Sequence, residues 1–118
     1  MARVMICDDA AFVRGAIGKI VTAAGHTVVT GAGTGLEAVK NYKAFHPDLV
    51  FMDITMPDMD GIQATMQIKE YDPNAKVIMV SSLGHTDKVV KAINAGAKDF
   101  IVKPFDEEHI KKCIDKYA

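Results

Sequence analysis

The chain has 118 residues, 49% hydrophobic and 25% charged, and its 14 basic and 15 acidic residues leave a formal net charge of −1. That length fits one domain over residues 1–118 with a core that needs no disulfide or metal staple. The composition excludes a disordered or fibrous protein. The charge balance gives no basic surface for nucleic acid, and no apolar run approaches the roughly 20 residues of a membrane-spanning helix.

Five Val- and Ile-rich runs alternate with segments of helical periodicity. The first predicted strand, about residues 3–7, holds Val4-Met5-Ile6-Cys7 and runs into Asp8-Asp9. Only four apolar residues separate Arg3 from those aspartates, so a secretory signal is not expected and the predicted location is cytoplasmic. Val13, Ala16, Ile17, Ile20 and Ala24 mark the first helix, with Gly25 suited to its C-terminus. The second strand, about residues 27–31, leads into Gly31-Ala32-Gly33-Thr34-Gly35. This resembles a glycine-rich phosphate loop, but Leu36 takes the third glycine position and the segment follows the second strand, not the first. It reads as a loop and helix start, with Thr34 and Glu37 in a capping-box pattern.

Pro47 precedes the third strand, about residues 48–52, which ends at Asp53. Met56 and Met59 in the loop beyond it are expected to be partly exposed. In the third helix, about Gly61 to Tyr71, the apolar residues Ile62, Ala64, Met66 and Ile68 fit either period. Pro73 precedes the fourth strand, about residues 76–80, with Ser81 and Ser82 at its end. Val89, Ala92, Ile93 and Gly96 follow at helical spacing, and a fifth strand over about residues 98–102 leads to Lys103. Ile110, Cys113, Ile114 and Tyr117 mark the last helix; Asp106-Glu107-Glu108 at its start and Lys111, Lys112 and Lys116 toward its end complement its dipole. The two cysteines have no paired spacing, and His26, His46, His85 and His109 share no metal-ligand spacing.

Repeated βα units imply a parallel sheet covered on both faces, and right-handed crossovers leave a doubly wound α/β sheet as the leading topology. With strands one and three as central neighbours, Asp8, Asp9 and Asp53 meet at the C-terminal sheet edge, where such folds bind ligands. Three carboxylates suit magnesium, a hard ion held by carboxylates together with phosphate oxygens. A carboxylate can itself accept a phosphoryl group, and Asp53, alone at its strand end, is the expected acceptor. Lys103 supplies a second positive charge, and Ser81 or Ser82 a hydroxyl for a phosphoryl oxygen. A lone aspartate after a strand is commonly a turn former or helix cap, which is how Asp9 reads by itself. Four charged groups at three strand ends favour a ligand instead.

The segments Cys7-Asp8-Asp9, Met52-Asp53-Ile54-Thr55-Met56-Pro57-Asp58-Met59-Asp60-Gly61, Val80-Ser81-Ser82 and Ala95-Gly96-Ala97-Lys98-Asp99-Phe100-Ile101-Val102-Lys103-Pro104-Phe105 closely resemble the receiver domain of two-component response regulators. The resemblance spans nearly the whole chain, is closest to single-domain chemotaxis regulators, and implies the flavodoxin-like strand order 2-1-3-4-5. It implies that Asp53 is phosphorylated by a histidine kinase and that Asp9, Asp53 and the Thr55 carbonyl bind Mg2+, with Asp8 acting through water. It assigns the hydroxyl position to Ser81, the lysine to Lys103 with a cis bond to Pro104, and the aromatic switch to Phe100. The implied output face is helix four, strand five and helix five, with Val89, Phe100 and Val102 and with Cys113 and Glu107 on the same face. Since no effector domain follows Ala118, output is expected through a separate partner.

The resemblance further implies a monomer that takes phosphate from the kinase of a chemotaxis array and acts on the flagellar motor switch protein, with a phosphatase as a further partner. Its own catalysis would be limited to its phosphorylation and dephosphorylation. Thr55 and Leu83 stand at the positions that govern phosphate loss, and an apolar Leu83 implies slow self-hydrolysis. Competing readings are a phosphorelay intermediate and a magnesium-dependent phosphohydrolase of the haloacid dehalogenase type. Such hydrolases usually carry an acid two residues after the nucleophile, where this chain has Thr55. A flavin-binding protein of the same fold class is disfavoured because Asp8 and Asp9 would repel its phosphate.

Overall fold

A computed structural model describes residues 1–82 and 86–118. The elements alternate as β1 (Arg3–Cys7), α1 (Ala11–Ala23), β2 (Thr27–Ala32), α2 (Gly35–Phe45), β3 (Leu49–Asp53), α3 (Gly61–Tyr71), β4 (Val77–Ser82), α4 (Thr86–Asn94), β5 (Asp99–Lys103) and α5 (Glu107–Tyr117). All strand pairs are parallel, in the order β2-β1-β3-β4-β5.

The period of two along each strand sorts side chains onto two cores. Met5, Cys7, Val50, Met52, Val77 and Met79 pack toward α2, α3 and α4 with Ala38, Tyr42, Ala64, Ile68 and Ala92. Val4, Ile6, Leu49, Phe51, Ile78 and Val80 pack toward α1 and α5 with Ile17, Val21, Ile110 and Ile114. Burial on both faces explains why β3 reads as an unbroken apolar run before its terminal aspartate.

Side-chain caps fix the starts of α2, α3 and α5. Thr34 accepts a hydrogen bond from the Glu37 amide (3.1 Å), while Glu37 Oε1 reaches the Gly33 amide (3.3 Å) rather than that of Thr34. Asp60 and Asp106 cap α3 and α5 through the Gln63 and His109 amides, at 2.8 and 2.7 Å. Gly25 and Gly96 follow α1 and α4 with φ of 88° and 110°. The third helix, ambiguous by period, is α-helical; Ala64 and Ile68 face the core, whereas Met66 is 55% exposed.

Strands two to five end one or two residues beyond the sequence expectation. Parallel pairing continues through Asp53 opposite Val80 and through Ser82 opposite Lys103, so Asp53, Ser81 and Lys103 belong to the ladders themselves. Met56 is buried rather than partly exposed, because the loop after β3 folds back onto the core. The return depends on Gly61, whose amide donates to the Ile54 carbonyl (2.7 Å) and where any Cβ would overlap the Asp53 carbonyl. Backbone cannot yield as a side chain can. Gly61→Ala is therefore expected to destabilise the fold by about 1–3 kcal/mol, measured by urea unfolding; an unchanged midpoint contradicts this.

Candidate functional site

The site forms where β1, β3, β4 and β5 end together. Asp8 is buried and held through every polar group it has. Its amide donates to the Ala32 carbonyl (2.9 Å), its carbonyl accepts from the Arg14 guanidinium, its Oδ1 accepts from the Ala10 amide (2.9 Å), and its Oδ2 accepts from Lys103 Nζ (2.8 Å). Asp9 is exposed and is not a helix cap, since Ala10 takes that position with no side-chain bond. Its carboxylate is thus left for the site: oxygens of Asp8, Asp9 and Asp53 lie within 4.8 Å of one another.

Asp53 is 6% exposed. Its Oδ1 accepts from the Thr55 amide at 3.4 Å and its Oδ2 lies 3.6 Å from Lys103 Nζ. Burial, then the charge of Asp8, pushes its carboxyl from an ordinary 3.8 up to about 6, against the opposing pull of Lys103 and Thr55. Burial also works against the Lys103 ammonium, yet the hydrogen bond to Asp8 and the charges of Asp53 and Asp8 hold it above its usual value. One lysine does not neutralise three carboxylates. The hard oxygen donors and the uncompensated charge on Asp53 therefore fit a divalent cation such as magnesium.

The other predicted residues fall around this edge. Ser81 is buried and Ser82 exposed, so Ser81 is the hydroxyl enclosed with the site. Thr55 stands exposed in the β3–α3 loop. Phe100, opposite Met79 in register, is half-buried against the core, and Val89 and Val102 are half-buried. The Lys103–Pro104 bond is cis. Leu83 and His85 lie outside the described residues.

Cys113 corrects the sequence reading: it is 3% exposed and packs in the α1/α5 core, so it does not stand on the output face. Burial, then Asp99, raises its thiol to about 11. Glu107 is exposed and pairs with Lys111 at 3.2 Å. Ile93, which helical spacing put on the apolar stripe of α4, is 47% exposed, and Val90, which the spacing did not single out, is 56% exposed. Arg14 was also missed. A helical side chain leans toward the N-terminus, so Arg14 reaches back to Asp8 six residues earlier, a contact no simple spacing announces.

A doubly wound sheet here carries three carboxylates, a hydroxyl and a lysine at its C-terminal edge. The chain belongs to the response regulator receiver domain family, whose model matches residues 4–115. It is similar to the chemotaxis protein CheY of Thermotoga maritima, 51% identical over 116 residues, covering 98% of this chain and 97% of that protein. It is likewise 51% identical to the chemotaxis protein CheY of Bacillus subtilis, over 97% of this chain and 95% of that protein. Among solved structures it resembles CheY in the CheX–CheY–BeF3–Mg2+ complex of Borrelia burgdorferi, at 40% identity and a TM-score of 0.92, with 97% of this chain and 87% of that chain covered. The relatives favour a chemotaxis response regulator over the hydrolase, relay and flavin readings. Among the described residues no helix is long and apolar enough to cross a membrane.

A raised carboxyl pKa has a fixed sign for stability. In metal-free protein, folding retains a proton on Asp53 that the unfolded chain has already lost, so stability falls as pH rises from about 4 to about 6. Asp53→Asn should remove that slope and raise metal-free stability at neutral pH by about 1–3 kcal/mol, read from urea unfolding in chelator. A variant less stable than wild type contradicts the assignment.

Proposed function

We propose that the chain is a single-domain chemotaxis response regulator over residues 1–118, phosphorylated on Asp53 by a histidine kinase in a magnesium-dependent reaction. The observation that carries this is the buried, charge-crowded Asp53 carboxylate, within 3.6 Å of Lys103 Nζ and within 4.8 Å of the Asp8 and Asp9 carboxylates. Asp8, Asp9, Asp53 and the Thr55 carbonyl are the groups that would hold magnesium, with Asp8 acting through water. When bound, that ion supplies the positive charge that lets a phosphoryl group enter beside three carboxylates.

An Asp53 carboxylate oxygen attacks phosphorus in line. The new P–O bond forms as the P–N bond of the donor phosphohistidine breaks, and the imidazole leaves with the electron pair. Lys103, already charged, neutralises the oxygens of the transferred group. Ser81 donates its hydroxyl hydrogen to another phosphoryl oxygen. Its movement toward Asp53 frees space into which Phe100 turns, a local charge event that biases a packing element.

The turned Phe100 alters the face made by α4, β5 and α5, including Val89 and Val102. The exposed Val90 and Ile93 beside it add apolar area that suits a protein partner. Similarity to the CheY proteins supports the kinase of a chemotaxis array as donor and the flagellar motor switch protein as target, and the relative bound to CheX supports a further partner, which we take to be a phosphatase. Cytoplasmic location follows from this role.

Incubation with magnesium and acetyl phosphate, followed by intact mass measurement, tests the reading. One added phosphoryl group is expected in wild type and none in Asp53→Asn. Lys103→Met should slow its appearance at least about tenfold through lost charge stabilisation. Unmodified wild type, or repeated turnover of a phosphate ester, overturns the reading.

A further inference from the structure

The glycine-rich segment at the end of β2 lies against the site. A Cβ at Gly31 would meet Arg14 Cδ at 3.5 Å and the Ile6 carbonyl at 3.3 Å, and one at Gly33 would meet Arg14 Nη1 at 3.5 Å. The Arg14 side chain therefore lies across two positions kept bare, and from there its Nη1 donates to the Asp8 carbonyl. That carbonyl belongs to the Asp8–Asp9 peptide. Because the peptide unit is planar, fixing its oxygen fixes the direction in which the chain leaves for Asp9. Among the described residues the Asp9 carboxylate has no hydrogen bond of its own, so its placement depends on the backbone that carries it.

We propose that Arg14 is a positioning residue for the cation site: laid over Gly31 and Gly33, it locks the Asp8–Asp9 peptide so that the Asp9 carboxylate converges with those of Asp8 and Asp53. The inference rests on the reading of these aspartates as a magnesium site. Arg14 bonds a carbonyl and not a carboxylate, so it withdraws no ligand oxygen from the ion. The sign of its effect separates positioning from simple electrostatics. A cationic side chain near a cation site weakens binding by charge alone, so its removal should tighten magnesium. Loss of positioning should do the reverse.

The test is calorimetric titration of magnesium into wild type, Arg14→Met and Arg14→Lys, with thermal unfolding of each in chelator. Arg14→Met keeps an aliphatic stem and loses every donor, and about tenfold weaker binding is expected, in line with outer-shell partners of metal ligands. Arg14→Lys keeps a donor and should recover part of that loss. Gly33→Val, which retains Arg14 but crowds its guanidinium, should weaken binding in the same direction and serves if Arg14→Met does not fold. Magnesium affinity within twofold of wild type, or tighter, in a folded Arg14→Met or Gly33→Val protein overturns the inference. So does weakened binding that Arg14→Lys leaves unrepaired and that tracks a lower unfolding temperature. Wild type that binds no magnesium overturns the magnesium reading itself and this inference with it.

Discussion

Three carboxylates held against a single ammonium at one sheet edge are the constraint on which the rest of this molecule turns. With all four groups ionised the edge carries three negative charges and one positive, a net of −2. The cost is visible in Asp53, whose carboxyl is driven up to about 6 by burial and by Asp8. Relief comes from adding positive charge at the site, and a divalent cation meets that need while also admitting a phosphoryl group. Lys103 alone does not suffice. It satisfies Asp8 at 2.8 Å and stands off from Asp53 at 3.6 Å.

Keeping like charges together requires rigid support, which the core and its close backbone contacts provide. β1 and β3 are adjacent, with Val4–Cys7 and all of β3 buried, so Asp8 and Asp53 stand at the ends of well-packed strands. The loop beyond Asp53 is pressed onto the sheet edge through Gly61, and a Cβ at Gly35 would overlap the Met59 carbonyl of that same loop. Bare positions thus allow two backbones to approach, and the site inherits its geometry from them. Phe100 is set two strands out from β3, half-buried against the core on β5. In the proposed switch, a near-complete change of Phe100 packing needs about 5.5 kcal/mol of differential stabilisation between the two states.

Much of this was legible in the residues. Five apolar runs indicated the strand count, and the charged residues at the ends of three of them placed Asp8, Asp9, Asp53 and Lys103 on one edge, because parallel crossovers leave few topologies. The strand order came with the family resemblance. What stayed hidden involved contacts between residues with no common period. Arg14 reaches Asp8 by leaning back along its helix, and no spacing shows that Gly31 and Gly33 lie under its side chain. Cys113 was placed on the output face by the family resemblance, whereas its helical spacing with Ile110 and Ile114 matches the core it joins. Met56 lies in a loop that looks solvent-facing until the glycine that folds it back is placed.

The central claim is that cation and phosphoryl group occupy this edge by mutual support, each relieving repulsion that excludes the other. Such coupling must be reciprocal. Calorimetric titration of magnesium in the presence and absence of BeF3, a small anion that can stand in for a phosphoryl group, measures it directly. At least about tenfold tighter magnesium binding with the anion is predicted, within the usual range of coupling between sites. Equal affinity in the two titrations would contradict the account.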